Sequence, residues 1–178
     1  LKIVLAINAV MFFVELAAGM MIGSTALLSD SLDNLGDALT YGLSLYAGAR
    51  GSRSKAKVAL FKGSLILLAG LFVLFQVAYR IAEPIIPTYE TMGLVSLLAL
   101  LANGTCLTLL WKHREEDINM SSVWECSRND IAANIAVLVA AGGVFLTHAG
   151  WPDIVVGMAL ALLFLKSAAS VLKGAISE

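Results

Sequence analysis

Six long apolar segments with short polar connections limit what this chain can fold into. They cover about residues 3–22, 25–47, 58–79, 91–111, 121–146 and 153–172. About 20 apolar residues in an α-helix cross the hydrocarbon core of a bilayer. The chain is 59% hydrophobic and 14% charged, whereas soluble domains are about 45–50% apolar and 25% charged. We therefore predict an all-α integral membrane protein with six transmembrane helices.

Little sequence lies outside these segments, so we expect one domain, residues 1–178, without a C-terminal cytosolic domain in this chain. The net charge of −1 argues against a nucleic-acid partner. Cys106 and Cys126 both lie inside apolar segments, and their spacing does not indicate a disulfide framework.

The positive charges indicate the orientation of the helices. In a six-helix topology Arg80 lies in a connection on one side of the membrane, and eight other basic residues lie on the opposite side. Membrane proteins concentrate Lys and Arg in cytoplasmic loops. We therefore predict that both termini are cytoplasmic. The eight residues are Lys2, Arg50, Arg53, Lys55, Lys57, Lys112, Arg114 and Lys173.

Three carboxylates interrupt the second apolar segment, at Asp30, Asp33 and Asp37. On an α-helix Asp33 and Asp37 lie roughly 40° apart, and Asp30 lies within about 20° of Asp37. Ionised carboxylates in a bilayer are costly unless they face a protein interior and are neutralised by protons, basic partners or metal. This acidic face is the first candidate for a functional site.

The fifth segment repeats the same spacing with Cys126 and Asp130. Counted from the expected helix starts, both pairs lie near the middle of a bilayer core about 30 Å thick. Because the two helices run antiparallel, we expect Asp33 to lie opposite Asp130 and Asp37 opposite Cys126. Four side chains that bind metals would then converge on one point.

Three oxygen donors and a thiolate suit a four-coordinate divalent transition metal, and the sulfur favours Zn²⁺ or Cd²⁺ over Mg²⁺ or Ca²⁺. Such ligands bind metal only when deprotonated, so metal binding releases protons. This coupling is the physical basis of antiport between a metal and protons. A structural metal is the alternative interpretation of the same four residues.

A series of motifs extends along the sequence: Gly23-Ser24, Leu27-Leu28-Ser29-Asp30, Asp33-Asn34-Leu35-Gly36-Asp37, Asn103, Asp117-Ile118-Asn119, Asp130 and Trp151-Pro152-Asp153. With these motifs the chain resembles the cation diffusion facilitator family of divalent metal/proton antiporters over nearly its whole length. The resemblance implies a homodimer in which each protomer has its own site, at Asp33, Asp37, Cys126 and Asp130. It also implies transported Zn²⁺ or Cd²⁺ and H⁺, and we expect no prosthetic group.

Two departures from the family pattern bear on metal choice and on the domain content. Cys126 stands where the family usually has His and sometimes Asp, and Asp33 replaces the His of strictly zinc-selective members. Export of Fe²⁺, Co²⁺ or Mn²⁺ is therefore the alternative to Zn²⁺ or Cd²⁺. Many relatives also carry a cytosolic metal-binding domain after the sixth helix. The expected location is a bacterial inner membrane, as a multi-pass protein.

Several other polar residues in the segments have two open interpretations. Asp30 is a relay on the external path or a structural carboxylate. Asn103 and Asn134 either hydrogen-bond the ligands or join helices as neutral polar contacts. Glu15, in the first segment, is a buried carboxylate for which helix packing is the simpler explanation.

Two functions of other classes use similar residues. An intramembrane aspartyl protease places two carboxylates on separate helices, and Leu35-Gly36-Asp37 matches part of its Gly-x-Gly-Asp motif. Asn34 occupies the position of the first glycine, which argues against this function. A passive channel or a membrane-bound metal sensor would require the same ligands as a transporter.

Overall fold

The computed structural model describes residues 2–47, 52–111 and 118–176. Within these ranges the side chains at 43–47, 52–60, 62, 118–127, 171 and 174–176 are not described. All regular secondary structure in the described ranges is α-helical. The helices are α1 (Lys2–Ile22), α2 (Thr25–Ala47), α3 (Ser52–Ala82), α4 (Tyr89–Trp111), α5 (Ile118–Thr147) and α6 (Trp151–Ile176).

Five of these helices are long and apolar enough to cross a membrane, as judged over the described residues. The spans are Lys2–Ile22, Gly63–Ala82, Tyr89–Trp111, Arg128–Thr147 and Trp151–Ser170. α2 is not among them, because its three carboxylates lower its hydropathy. The prediction of an all-helical protein is confirmed, whereas the crossing of the membrane by α2 remains a prediction.

α2 lies at the centre of the structure and packs against α1, α3, α5 and α6. Ala26 and Leu27 face one hydrophobic cluster, which contains side chains of α4 and α5. Leu28 and Leu32 face a second cluster, built with α3 and α6. An acidic helix is thus enclosed by protein on several sides, which shields its charges from lipid.

Large apolar side chains cover the outside of the molecule. Soluble monomers expose few contiguous apolar patches of this kind, and the same surface suits lipid chains. The most exposed of these residues include Phe13 (66%), Phe75 (66%), Leu94 (70%), Val139 (67%) and Leu146 (77%).

Two helices begin earlier than the apolar pattern predicts. α3 begins at Ser52, so Arg53, Lys55 and Lys57 lie on this helix and not in a loop, and α5 begins at Ile118 and not near 121. Hydropathy marks only the lipid-facing part of a helix, and Lys, Arg and Ala allow it to continue beyond that part. The positions 50, 112 and 114 of the orientation argument lie outside the described residues, and the orientation stays a prediction.

The turn between α1 and α2 is the tight connection that Gly23 and Ser24 predict. Gly23 has φ +70°, and the Ser24 amide donates to the Gly19 carbonyl at 3.0 Å, which is the hydrogen bond of a Schellman cap. The Ser24 hydroxyl then accepts from the Leu27 amide at 3.1 Å and so caps α2.

Asp153 of α6 completes this cap from a different helix. Its carboxylate accepts hydrogen bonds from the Thr25 amide (2.7 Å) and the Ala26 amide (3.1 Å). The hydroxyls of Ser24 and Thr25 also donate to it, at 2.6 and 2.8 Å. The first amides of a helix have no partner within the helix, so these bonds fix the beginning of α2 against α6.

Close backbone packing accompanies this contact, which yields the first prediction. A Cβ atom at Gly157 would lie 2.6 Å from the Thr25 carbonyl carbon, so we expect Gly157→Ala to destabilise the protein by about 1–3 kcal/mol. Gly104→Ala is the matched control, because no atom lies within 4 Å of its Cβ position. The measurement is unfolding of the purified protein in detergent. Equal stability of the two variants would contradict the close approach of α2 and α6.

Candidate metal centre

A cavity of about 710 Å³ lies between α2, α5 and α6. Asp33 and Asp37 line it from α2, and Asp130 lines it from α5. The rest of its wall is mainly apolar, with Ile66 of α3 and Phe164 of α6 among its residues. Three of the four predicted metal ligands therefore line one cavity.

Tyr41 holds the Asp37 carboxylate in place. Its hydroxyl donates to Asp37 Oδ2 at 2.5 Å, and only 1% of Tyr41 is exposed. The two residues are four positions apart and therefore lie on the same face of α2. This contact was missed by our sequence analysis, although the spacing alone would have indicated it.

Asp130 meets Asp37 across the interface of α2 and α5. The two carboxyl groups lie within hydrogen-bonding distance, and they are only 5% and 8% exposed. Asp130 Oδ2 has no hydrogen-bond partner among the described residues. Two buried carboxylates this close repel each other unless a proton or a cation lies between them.

The pairing across the helices differs from the predicted one, in which Asp33 lay opposite Asp130. The hydrogen-bonding neighbour of Asp130 is Asp37. The depth count assumed that both helices begin at the membrane surface. Such a count does not include how α2 and α5 shift and cross where they pack, and Asp37 lies one turn of α2 beyond Asp33.

The complete set of four ligands is not assembled among the described side chains. There, no three His, Cys, Asp or Glu groups lie close enough together to hold a metal ion. Cys126 lies on α5 one turn before Asp130, and its side chain falls outside the described residues. The ligand set Asp33, Asp37, Cys126 and Asp130 stays a prediction.

Asp30, Asn103 and Asn134 form a separate chain of hydrogen bonds through α2, α4 and α5. The Asn103 amide donates to Asn134 Oδ1 at 2.9 Å, and the Asn134 amide donates to Asp30 Oδ2 at 2.8 Å. All three residues are at most 1% exposed, and none of them lines the cavity. These contacts match the interpretation of Asn103 and Asn134 as polar contacts between helices.

A second buried pair joins α1 to α2. The Asn34 amide donates to Glu15 Oε2 at 2.9 Å, and the two residues are 1% and 0% exposed. Cys106 is a free thiol, also fully buried, which packs beside Tyr41. The interior of the helix group is therefore polar at several depths, as is usual for side chains with a role in a membrane protein.

Comparison with known proteins identifies the family of this chain. The model of the cation efflux transmembrane domain matches residues 1–178, the whole sequence. The chain belongs to the cation efflux family. This confirms the resemblance to cation diffusion facilitators, and it agrees with the prediction of a multi-pass protein of a bacterial inner membrane.

Three curated bacterial proteins illustrate the relationship to cation efflux proteins. The metal cation efflux system protein CzcD of Cupriavidus metallidurans is 25% identical over 165 residues, which cover 85% of this chain and 51% of that protein. The zinc transporter ZitB of Yersinia pestis is 25% identical over an aligned region that covers 100% of this chain and 61% of ZitB. The cadmium, cobalt and zinc/H(+)-K(+) antiporter of Bacillus subtilis is 23% identical over an aligned region that covers 92% of this chain and 57% of that protein.

The hydrogen-bonded chain through Asn134 gives the second prediction. We expect Asn134→Ala to destabilise the protein by about 2–3 kcal/mol, because it leaves Asp30 buried without its donor. Thr108→Ala is the control, since its exposed hydroxyl bonds only to its own helix. Unfolding in detergent would measure both variants.

A double-mutant cycle tests whether the bonds form one chain. Asn103→Ala combined with Asn134→Ala should cost less than the sum of the single changes, because both remove the same amide–amide bond. Additive effects would contradict the connection between Asn103 and Asn134.

Proposed function

We propose that this chain is the transmembrane unit of a proton-coupled antiporter that exports divalent transition-metal cations, Zn²⁺ or Cd²⁺, from the cytoplasm. Asp33, Asp37, Cys126 and Asp130 bind the cation during transport. The observation that carries the proposal is the meeting of Asp37 and Asp130 from two helices in one cavity. The described side chains that line this cavity include no basic one, and a cation or a proton there balances the charge of the carboxylates.

The chemistry of the carboxylate pair accounts for antiport. A divalent metal replaces the protons that otherwise separate the two carboxylates, so binding of one releases the other. Tyr41 keeps Asp37 oriented for binding, as a hydrogen-bonded neighbour does for many metal ligands. If the site is exposed to each side of the membrane in turn, this competition couples metal export to proton entry.

The names of the relatives support this proposal and help to select among its alternatives. They specify zinc in one case, and cadmium, cobalt and zinc with H⁺ and K⁺ in another. These are transporters, which argues against an aspartyl protease despite the close pair Asp37 and Asp130. Transport of Fe²⁺, Co²⁺ or Mn²⁺ is the alternative selectivity. The alternative of a membrane metal sensor is tested by measuring metal flux across vesicle membranes.

The proposed assembly follows the family resemblance. We propose a homodimer with cytoplasmic termini and one site in each protomer, which rocks pairs of helices around that site. The chain spans 51–61% of the length of the relatives above, so the activity of those whole proteins is carried over here only as a proposal.

The third prediction tests the carboxylate pair. In sealed vesicles with a pH gradient, Asp37→Asn and Asp130→Asn should each reduce Zn²⁺ transport by at least about 100-fold, because a neutral amide cannot replace a charged ligand. Glu90→Gln is the control, as it changes an exposed carboxylate at the beginning of α4. Undiminished transport in either aspartate variant would remove that residue from the site.

The same vesicles separate antiport from the other classes of function. Metal movement with proton counterflow, reversed when the gradient is reversed, supports antiport. Metal flux without proton flow would indicate a channel, and the absence of any flux would indicate a sensor or a protease.

The fourth prediction concerns the thiol. Cys126→His should retain transport and shift the ratio of Zn²⁺ to Cd²⁺ transport toward Zn²⁺, because imidazole is a harder ligand than thiolate. Competition between the two metals in vesicles measures this ratio. Cys106→Ala serves as a control for loss of a thiol elsewhere, and an unchanged ratio in Cys126→His would argue that Cys126 does not bind the metal.

A further inference from the structure

A second pair of carboxylic acids lies in the interior of the helices α1, α2, α4 and α5, apart from the proposed metal ligands. Glu15 is 0% exposed and Asp30 is 1% exposed. Neither of them lines the cavity that contains Asp33, Asp37 and Asp130. The proposed transport chemistry does not use either residue, although two buried acids in a membrane protein require an explanation.

Each acid has one oxygen that is bonded and one that is not. Glu15 Oε2 accepts from the Asn34 amide at 2.9 Å, and Asp30 Oδ2 accepts from the Asn134 amide at 2.8 Å. Glu15 Oε1 and Asp30 Oδ1 are enclosed and have no hydrogen-bond partner among the described residues. A buried acceptor without a hydrogen-bond donor is unfavourable. A proton on one of these two oxygens would supply an O–H donor in place of an unpartnered acceptor.

Among the described side chains, the charged groups that act on Glu15 are acidic. Asp30 exerts the strongest electrostatic effect on it, followed by Asp33 and Asp130. α4, which packs on α1, has Glu90 as its one charged residue, in its first turn and exposed. α1 itself adds Lys2, about 20 Å away along the helix axis, and α2 has no basic residue.

We propose that Glu15 and Asp30 form a proton-binding pair that holds one proton when the metal site is empty and releases it when the metal binds. This inference rests on the proposed antiport function and adds a proton carrier to it. One proton removes one of two repelling charges and converts an unpartnered acceptor into an O–H donor. The two asparagines hold the bonded oxygens in either state.

Electrostatics couples this pair to the metal. A divalent cation at Asp33 and Asp130 offsets the negative charge that these carboxylates present to Glu15, which favours the ionised form of the pair. The O–H bond of the pair then breaks, its electrons stay on the carboxylate, and the proton leaves to water. Loss of the metal restores the negative charge, and the pair takes a proton again.

The fifth prediction is a count of protons. Calorimetric Zn²⁺ titrations of the full-length protein in buffers of different ionisation enthalpy give the number of protons released per metal. Glu15→Gln should release about one proton fewer at the same metal stoichiometry, because the variant lacks one of the two carboxyl groups that share the proton. Asp30→Asn should have the same effect, whereas Glu90→Gln should match the unmodified protein.

The double variant separates a shared proton from two independent ones. Glu15→Gln combined with Asp30→Asn should lose no more protons than either single variant, because the pair holds one proton. A purely structural role would lower stability in these variants and leave the proton count unchanged. An unchanged count in Glu15→Gln or an additive loss in the double variant would overturn the proposal.

Infrared difference spectra provide a readout that does not depend on the neutral variants. Addition of Zn²⁺ to the unmodified protein should remove a C=O band of a protonated carboxylic acid, and Glu15→Asp should shift this band. Absence of both effects would overturn the proton pair. Failure of the antiport proposal is distinguishable, because the unmodified protein would then neither bind Zn²⁺ nor release protons.

Discussion

The structure depends on keeping the carboxylates of α2 away from lipid. An ionised acid in hydrocarbon costs several kcal/mol or more, and α2 carries three of them. Asp30 lies among α1, α4 and α5, and Asp37 meets Tyr41 and Asp130. Four helices pack against α2, and this central position keeps its acidic residues within the protein.

Two kinds of carboxylate environment result from this arrangement. Asp33, Asp37 and Asp130 face a cavity that can admit a cation, whereas Glu15 and Asp30 are enclosed and bonded to amides of Asn34 and Asn134. The first environment suits exchange of a hydrated ion. The second is buried and does not line the cavity, and there we propose that a proton binds. Carboxylates of the same chemistry thus differ in their proposed roles because some line the cavity and others do not.

The sequence predicted the helices well and their contacts less completely. The bounds of α2 were correct because Gly23, Ser24 and the apolar pattern define them locally. The Tyr41 to Asp37 bond follows from i, i+4 spacing, and Glu15 and Asn34 lie at similar distances from the turn. By contrast, the bonds from Asp153 to Thr25 depend on tertiary packing over 128 residues. The neighbour of Asp130 across the interface is Asp37 and not Asp33, because the way two helices cross depends on tertiary packing and does not follow from counting residues along each helix.

The positions of the polar contacts along α2 determine how α2 and α5 can separate. The beginning of α2 is fixed to α6 by the hydrogen bonds of Asp153. One turn further, the Asp30 to Asn134 bond joins it to α5. Both contacts are charge-assisted, and breaking either leaves a buried carboxylate without its donors. The Asp37 to Asp130 contact is instead repulsive when both acids are ionised. Separating α2 from α5 near Asp37 therefore requires less free energy than separating α2 from its neighbours near its first residues. The beginning of α2 is its most firmly held part.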